Sequence, residues 1–155
     1  MVTLASGPAS SLAEEKQVTR NLLELLQQEQ GKLIEASITG LPELIQAKAL
    51  AVTQLTTLTK TRHALLDAAG FAASERGMRD WIAVHQPADT EWLALVALGA
   101  EAREMNRING MLIGRHMMRN QTELNILQGK TQRSNLYGAD GQSTGSGRGR
   151  GLAIG

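Results

Sequence analysis

The chain has 155 residues, 42% of them apolar but only 3% aromatic, and a formal net charge of +1. That length allows one domain with a moderate core, and the shortage of aromatics makes the core aliphatic. The small charge gives no ground for a nucleic-acid partner, and the lack of cysteine excludes a disulfide framework, a thiolate nucleophile and a cysteine zinc site.

Met1 to Ser10 are small and polar and read as a loose leader with no secretory signal. Ser11-Leu12-Ala13-Glu14 has the spacing of a capping box. Leu12, Val18, Leu22, Leu25, Leu26, Leu33 and Ile34 then recur at helical spacing to about Ser37, with a polar interruption at Gln27 to Gly31. Glu14 and Glu15 suit the positive end of this first helix. Thr39-Gly40-Leu41-Pro42 breaks the chain, and Pro42 suits the first turn of a second helix. That helix carries Leu44, Ala47 or Lys48, Ala51, Leu55, Leu58, Arg62, Leu65 and Ala69, with Gly70 and Phe71 as its C-terminal motif. Its threonines are poor helix formers, so tertiary contacts must hold it.

Ser74 caps a short third helix to about His85, with Met78, Trp81, Ile82 and Val84 as its apolar side. A long helix follows from Thr90 to Gln128, with Asp89 as N-cap and Gly129 at its end. Its stripe runs through Trp92, Leu95, Gly99, Ala102, Asn106, Asn109, Ile113, His116 or Met117, Asn120, Leu124 and Leu127. The spacing predicts an all-α fold: an elongated antiparallel bundle of three long helices plus one short helix. Residues 1–128 form the helical bundle domain, and residues 129–155 form a flexible Gly-rich tail. Eight of the sixteen glycines lie in that tail. Lys130, Arg133, Arg148 and Arg150 against Asp140 give it +3, which leaves −2 for the rest of the chain. Its few apolar residues cannot offset its ordering entropy alone.

No catalytic constellation is legible, and the reading is non-enzymatic. Gly129-Lys130-Thr131 resembles the end of a phosphate loop, but the first glycine is missing and a helix precedes it. His63, His85 and His116 lack the spacing of a helix-borne metal site. No cofactor, metal or small-molecule substrate is expected. The longest apolar run, Trp92 to Ala100, is too short to insert in a membrane. Asn106-Arg107-Ile108-Asn109-Gly110 places amides and a glycine where leucines are usual. Asn106, Asn109 and Gly110 form either a helix-packing motif, with a close crossing at Gly110, or a polar spot for a partner. Met105, Met111, Met117 and Met118 exceed what one core can take, which suits an adaptable groove. Tyr137 next to Leu136 is either a docking anchor or a ring folded back on the bundle.

Leu22-Leu23-Glu24-Leu25-Leu26 with Glu29, then Lys48 through Leu58, Arg62, Leu65, Gly70, Trp81 and Trp92, carry a family resemblance. Its most specific parts are Asn106-Arg107-Ile108-Asn109-Gly110 and Leu136-Tyr137-Gly138-Ala139-Asp140-Gly141-Gln142. The chain resembles the FlgN-type flagellar export chaperones. The resemblance implies a cytoplasmic chaperone that keeps hook-filament junction proteins soluble and delivers them to the export gate. It implies that the C-terminal part engages the client's C-terminal segment. We expect Met111, Ile113, Met117, Met118, Leu124 and Leu127 to be the client-binding residues. Docking to the gate's cytoplasmic domain falls to Leu136, Tyr137, Gly138, Asp140 and Gly141, with Tyr137 as the implicated tyrosine. The Gly/Arg extension from Ser143 to Gly155 matches no fixed family pattern. Two other classes stay open: a helical protein binding nucleic acid through that extension, and a structural helical adaptor.

Overall fold

The computed structural model describes the backbone of residues 7–138 and the side chains of residues 7–129. The order is α1 (Leu12–Glu35), α2 (Leu41–Ala68), α3 (Glu75–Val84), a single 3-10 turn (Gln86–Ala88) and α4 (Asp89–Gly138). No strand occurs among the described residues, so the all-α expectation holds. The chain divides into two units, one through Ile113 and one from Gly114 onward.

Local chemistry sets the helix ends in the first unit. Gly40, at φ 76°, turns the chain into α2, and Pro42 lies in the first turn. At the far end Gly70 has φ 86°, its N–H donates to the Asp67 carbonyl, and the Phe71 N–H donates to the Leu66 carbonyl at 2.9 Å. This double bond is the Schellman arrangement, with Phe71 packed beside Leu66 as its hydrophobic contact. Ser74 caps α3 by accepting from the Gly77 N–H at 3.1 Å. Along α2, Thr53, Thr56, Thr57 and Thr61 each donate to the carbonyl four residues back, so exposed threonines stay satisfied within the helix.

Several expectations fail for identifiable reasons. No capping box forms at Ser11, whose hydroxyl instead donates to the Glu15 carboxylate at 2.8 Å. Gly7 to Ser10 is a turn rather than a loose leader, with Pro8 buried and Ala9 against the core. Ile34 and Val84, placed on apolar stripes, are 69% and 68% exposed, because each falls at a helix end off the buried face. Asp89 is already helical, since the 3-10 turn around Pro87 runs straight into α4. Nor does α4 stop at Gly129: it continues to Gly138, a mid-helix glycine costing only about 1 kcal/mol against good helix formers around it.

Two apolar clusters hold the first unit. One joins Leu12 of α1, Leu66 of α2, Met78, Trp81 and Ile82 of α3, Ala88, and Trp92 of α4. The other joins Leu22, Leu23 and Leu26 to Ala51 and Ala102. Each fully buried Leu or Met contributes roughly 1.5–3 kcal/mol. Beside the first cluster lies a buried charge pair. Glu15 and Arg62 are each 2% exposed, with Arg62 Nε 3.0 Å from Glu15 Oε2 and Nη2 3.1 Å from Oε1. Ser11 and Thr59 also donate to that carboxylate, so its two oxygens are well occupied. The guanidinium sits 5.0 Å over the Trp92 ring and reaches Glu75 at 3.1 Å. Burial works against its charge, but the hydrogen bonds and charge of Glu15, with Glu75 adding, raise its pKa above the ordinary value. One pair thereby ties α1, α2, the start of α3 and α4.

Gly77 shows how closely α3 is seated. A Cβ there would fall on the Ala72 carbonyl, a backbone atom that cannot yield cheaply. A Cβ on Gly31, in the middle of α1, would meet nothing within 4 Å. Gly77→Ala is therefore expected to destabilise by about 1–3 kcal/mol, and Gly31→Ala to stabilise by about 0.5–1 kcal/mol. Urea unfolding of the two variants checks both signs.

Candidate functional site

The residues singled out on α4 fall into two groups with different environments. Asn106 and Asn109 belong to the first unit, where they meet a second buried carboxylate. Glu29 of α1 is 2% exposed and pairs with Lys48 of α2 at 3.0 Å. Asn109, 1% exposed, donates from Nδ2 to Glu29 Oε1 at 2.8 Å and to the Leu26 carbonyl at 2.9 Å. Asn106 is exposed, and its Oδ1 accepts from Lys48 Nζ at 3.4 Å. The amides thus bond to a neighbouring helix. Gly110 does not share in this: it is exposed, and a Cβ there would find open space. No close crossing occurs at Gly110, because the contact is made through the Asn109 amide one residue earlier.

Sequence reasoning missed the carboxylates of both buried pairs as core residues. Glu15 read as a helix-dipole charge and Glu29 as part of a polar interruption. The signal was present in their spacing. Glu15, Thr19, Leu22, Leu26, Glu29 and Leu33 follow one another at alternating steps of four and three, and all are buried. The two glutamates occupy core positions of that stripe.

Past Asn109 the α4 stripe is not buried. Ile113, Leu124 and Leu127, placed in a packed stripe by their periodicity, are exposed, as are Met111, Met117, Met118 and Ile126. Met117 and Met118 are the extreme cases at 66% and 72%. Helix α4 has 50 residues against 24 in α1 and 28 in α2, so neither of these helices is long enough to run beside all of it. At about 100° per residue, Ile113, Met117, Leu124 and Leu127 share one face, and Met111, Met118 and Ile126 share the opposite one. Arg115, Arg119 and Glu123 supply the nearby charge. Only Met105 among these methionines serves the core, against the Leu22–Ala102 cluster.

Leu136, Tyr137 and Gly138 fall in the last turn of α4, whereas Asp140, Gly141 and the Gly/Arg extension lie outside the described residues. His63 lies 3.3 Å from Glu75, and the His85 ring stacks on Trp81 with Nδ1 2.8 Å from the Trp81 carbonyl, which makes Nδ1 the protonated nitrogen. Among the described residues there is no His, Asp and Glu cluster suited to a metal ion and no helix long and apolar enough to cross a membrane.

Asn109 gives the sharpest test of the polar cluster. Asn109→Ala removes a donor from buried Glu29 and is expected to cost about 1–3 kcal/mol. Asn109→Asp is expected to cost more, since a second carboxylate beside Glu29 has its pKa raised in the folded state. That excess over Asn109→Ala is present at neutral pH and shrinks as the pH falls through the raised value. Urea midpoints of the two variants at neutral and acidic pH provide the comparison.

The comparisons with known proteins agree with this arrangement of motifs. The family model described as FlgN protein matches residues 1–145. The flagella synthesis protein FlgN of Proteus mirabilis is 29% identical over 125 residues, covering 76% of this chain and 85% of that protein. No solved structure matches significantly. With the family model spanning nearly the whole sequence, including both short motifs, the chain belongs to the FlgN family.

Proposed function

We propose that this chain serves flagellum synthesis as a cytoplasmic export chaperone without enzymatic activity. It holds hook-filament junction proteins by their C-terminal segments, keeps them soluble and delivers them to the export gate. The observation that carries this reading is the exposure of Met111, Ile113, Met117, Met118, Leu124 and Leu127 along one helix. A client segment destined to pack inside a filament carries an apolar face that must be covered beforehand. A methionine-rich helix can adapt to such a face in the helix-in-groove mode. Because the apolar residues lie on two opposite faces, one straight client helix cannot cover them all, and the client must wrap α4 or supply two segments.

Release follows from the same physics. Segments that order on binding give up part of their interaction energy and so let go of a partner without nucleotide hydrolysis. The name of the Proteus mirabilis relative places that protein in flagella synthesis, and the present reading extends that role to this chain. Gate docking is assigned to the segment of Leu136, Tyr137, Gly138, Asp140 and Gly141, with the Tyr137 ring as its anchor.

Replacing both Met118 and Leu124 with Asp is expected to weaken client binding at least about tenfold and to leave the melting temperature unchanged. The same change at exposed Val52 of α2 should leave client affinity intact. Calorimetric titration with a purified junction protein reads this directly. Equal losses at the two places would remove the client surface from α4. Tyr137→Ala is expected to cost about 2 kcal/mol at the gate, roughly thirtyfold in affinity, while client binding survives. Parallel titrations against the gate's cytoplasmic domain and the client separate the two roles, and unchanged gate affinity would refute the docking role.

A further inference from the structure

The first unit carries a second unfilled surface, distinct from the exposed part of α4. Two hollows of about 450 and 400 Å³ share Thr19, Leu55, Gly99 and Arg103, and so form one trough. Thr19, Leu22 and Leu26 of α1 make its floor. Val52 and Leu55 of α2 stand on one side, and Val96 and Gly99 of α4 on the other. Val52 and Val96 are largely exposed, at 49% and 43%. The trough is bounded by the two polar clusters already described, Arg62 over Trp92 at one end and Lys48 with Asn106 at the other. Both α2 and α4 take fourteen residues between these ends, a span of about 21 Å. That length admits about four turns of an α-helix. Gly99, with no side chain, lets a foreign backbone come close to α4.

Charge selects the occupant. Lys48, Arg62, Arg79 and Arg103 line the trough against Glu15 and Glu75. Lys48 is matched by Glu29, and Arg62 by Glu15 and Glu75. Arg79 and Arg103 are exposed and make no ion pair or hydrogen bond among the described residues. Arg62 is almost wholly buried, and its Nη1 has no acceptor among the described residues. Apolar floor, two unmatched cations and an unused guanidinium donor together ask for an apolar stripe flanked by carboxylates. A second copy of this chain fits poorly, because its exposed apolar stretch carries Arg115 and Arg119 against a lone Glu123. We propose that the trough between α2 and α4 receives an acidic amphipathic helix of a partner protein, its apolar stripe on Leu22, Leu55 and Val96 and its carboxylates on Arg79 and Arg103. This does not rest on the client surface around Met118.

The test uses the full chain and two fluorescein-labelled peptides of about sixteen residues, roughly the trough's length plus a half-turn. Both carry leucine and alanine at helical spacing; one has Glu on its flanks and the other Lys. Fluorescence anisotropy should show the Glu peptide binding at least about tenfold more tightly, with the difference narrowing as salt is raised. Arg79→Glu with Arg103→Glu should reverse the preference between the peptides and leave the melting temperature unchanged. The Met118→Asp, Leu124→Asp variant should bind the Glu peptide as the parent does. Should the charge-reversed variant melt early, Arg79→Gln with Arg103→Gln takes its place and should erase the preference. Equal binding of the two peptides, no binding of the Glu peptide at about 100 μM, a level far above that of specific partners, or loss only in the Met118 variant would each overturn the proposal. So would a single-stranded RNA that outcompetes the Glu peptide through the same arginines.

Discussion

Everything in the first unit depends on satisfying two carboxylates that lie in the core of α1. A buried carboxylate without partners is too costly to tolerate, so Glu15 and Glu29 each demand a cation and further donors. Arg62 and Lys48 supply the charges from α2, while Trp92 and Asn109 complete each cluster from α4. Glu15 and Glu29 are fourteen residues apart, and so are Arg62 and Lys48. The antiparallel pairing of α1 and α2 is therefore fixed at two points about 21 Å apart. Sliding α2 by one heptad would set one glutamate against Leu55 and leave it without its cation. Leucine contacts alone would permit such a slip at modest cost. Buried polar groups contribute little net stability, but they make one register much better than its neighbours.

The burial of α4 changes along its length. Up to Asn109 the helix faces α1 and α2, and its inward residues shrink or turn polar to suit: Gly99, Ala102 and Asn109. From Met111 onward the large apolar residues are exposed, apart from half-buried Leu112, and they spread over two faces rather than one. A single buried stripe is the mark of a helix that serves its own core.

The helices and most of their boundaries were legible because punctuation is local. Gly40-Pro42, Gly70-Phe71 and Ser74 act through their own φ angles and hydrogen bonds, and no distant contact alters them. What could not be read was which side of a periodic pattern would find a partner. Ile113, Leu124 and Leu127 continue the stripe of Trp92 and Ala102 without interruption, yet only the early part is buried, since burial depends on the lengths of other helices. Glu15 and Glu29 were hidden for the opposite reason. Their charge outweighed their position, and the 4-3 spacing shared with Leu22 and Leu26 went unused. The Ser11 hydroxyl was similarly diverted, because a buried carboxylate competes better for it than a helix N-terminus does.

The Gly40 turn has a kinetic consequence. It joins α1 to α2 through a handful of residues, so the Glu15–Arg62 and Glu29–Lys48 contacts close short loops. Asn109 must instead travel across some eighty positions of sequence to meet Glu29. Loop-closure entropy and the usual dependence of rate on sequence separation favour the local hairpin as the earliest structure. Until α4 arrives, that hairpin presents Leu22 and Leu26 to solvent and holds Glu29 with Lys48 as its principal donor. The nascent chain thus passes through a stage in which an apolar helix face waits for a partner that is synthesised later.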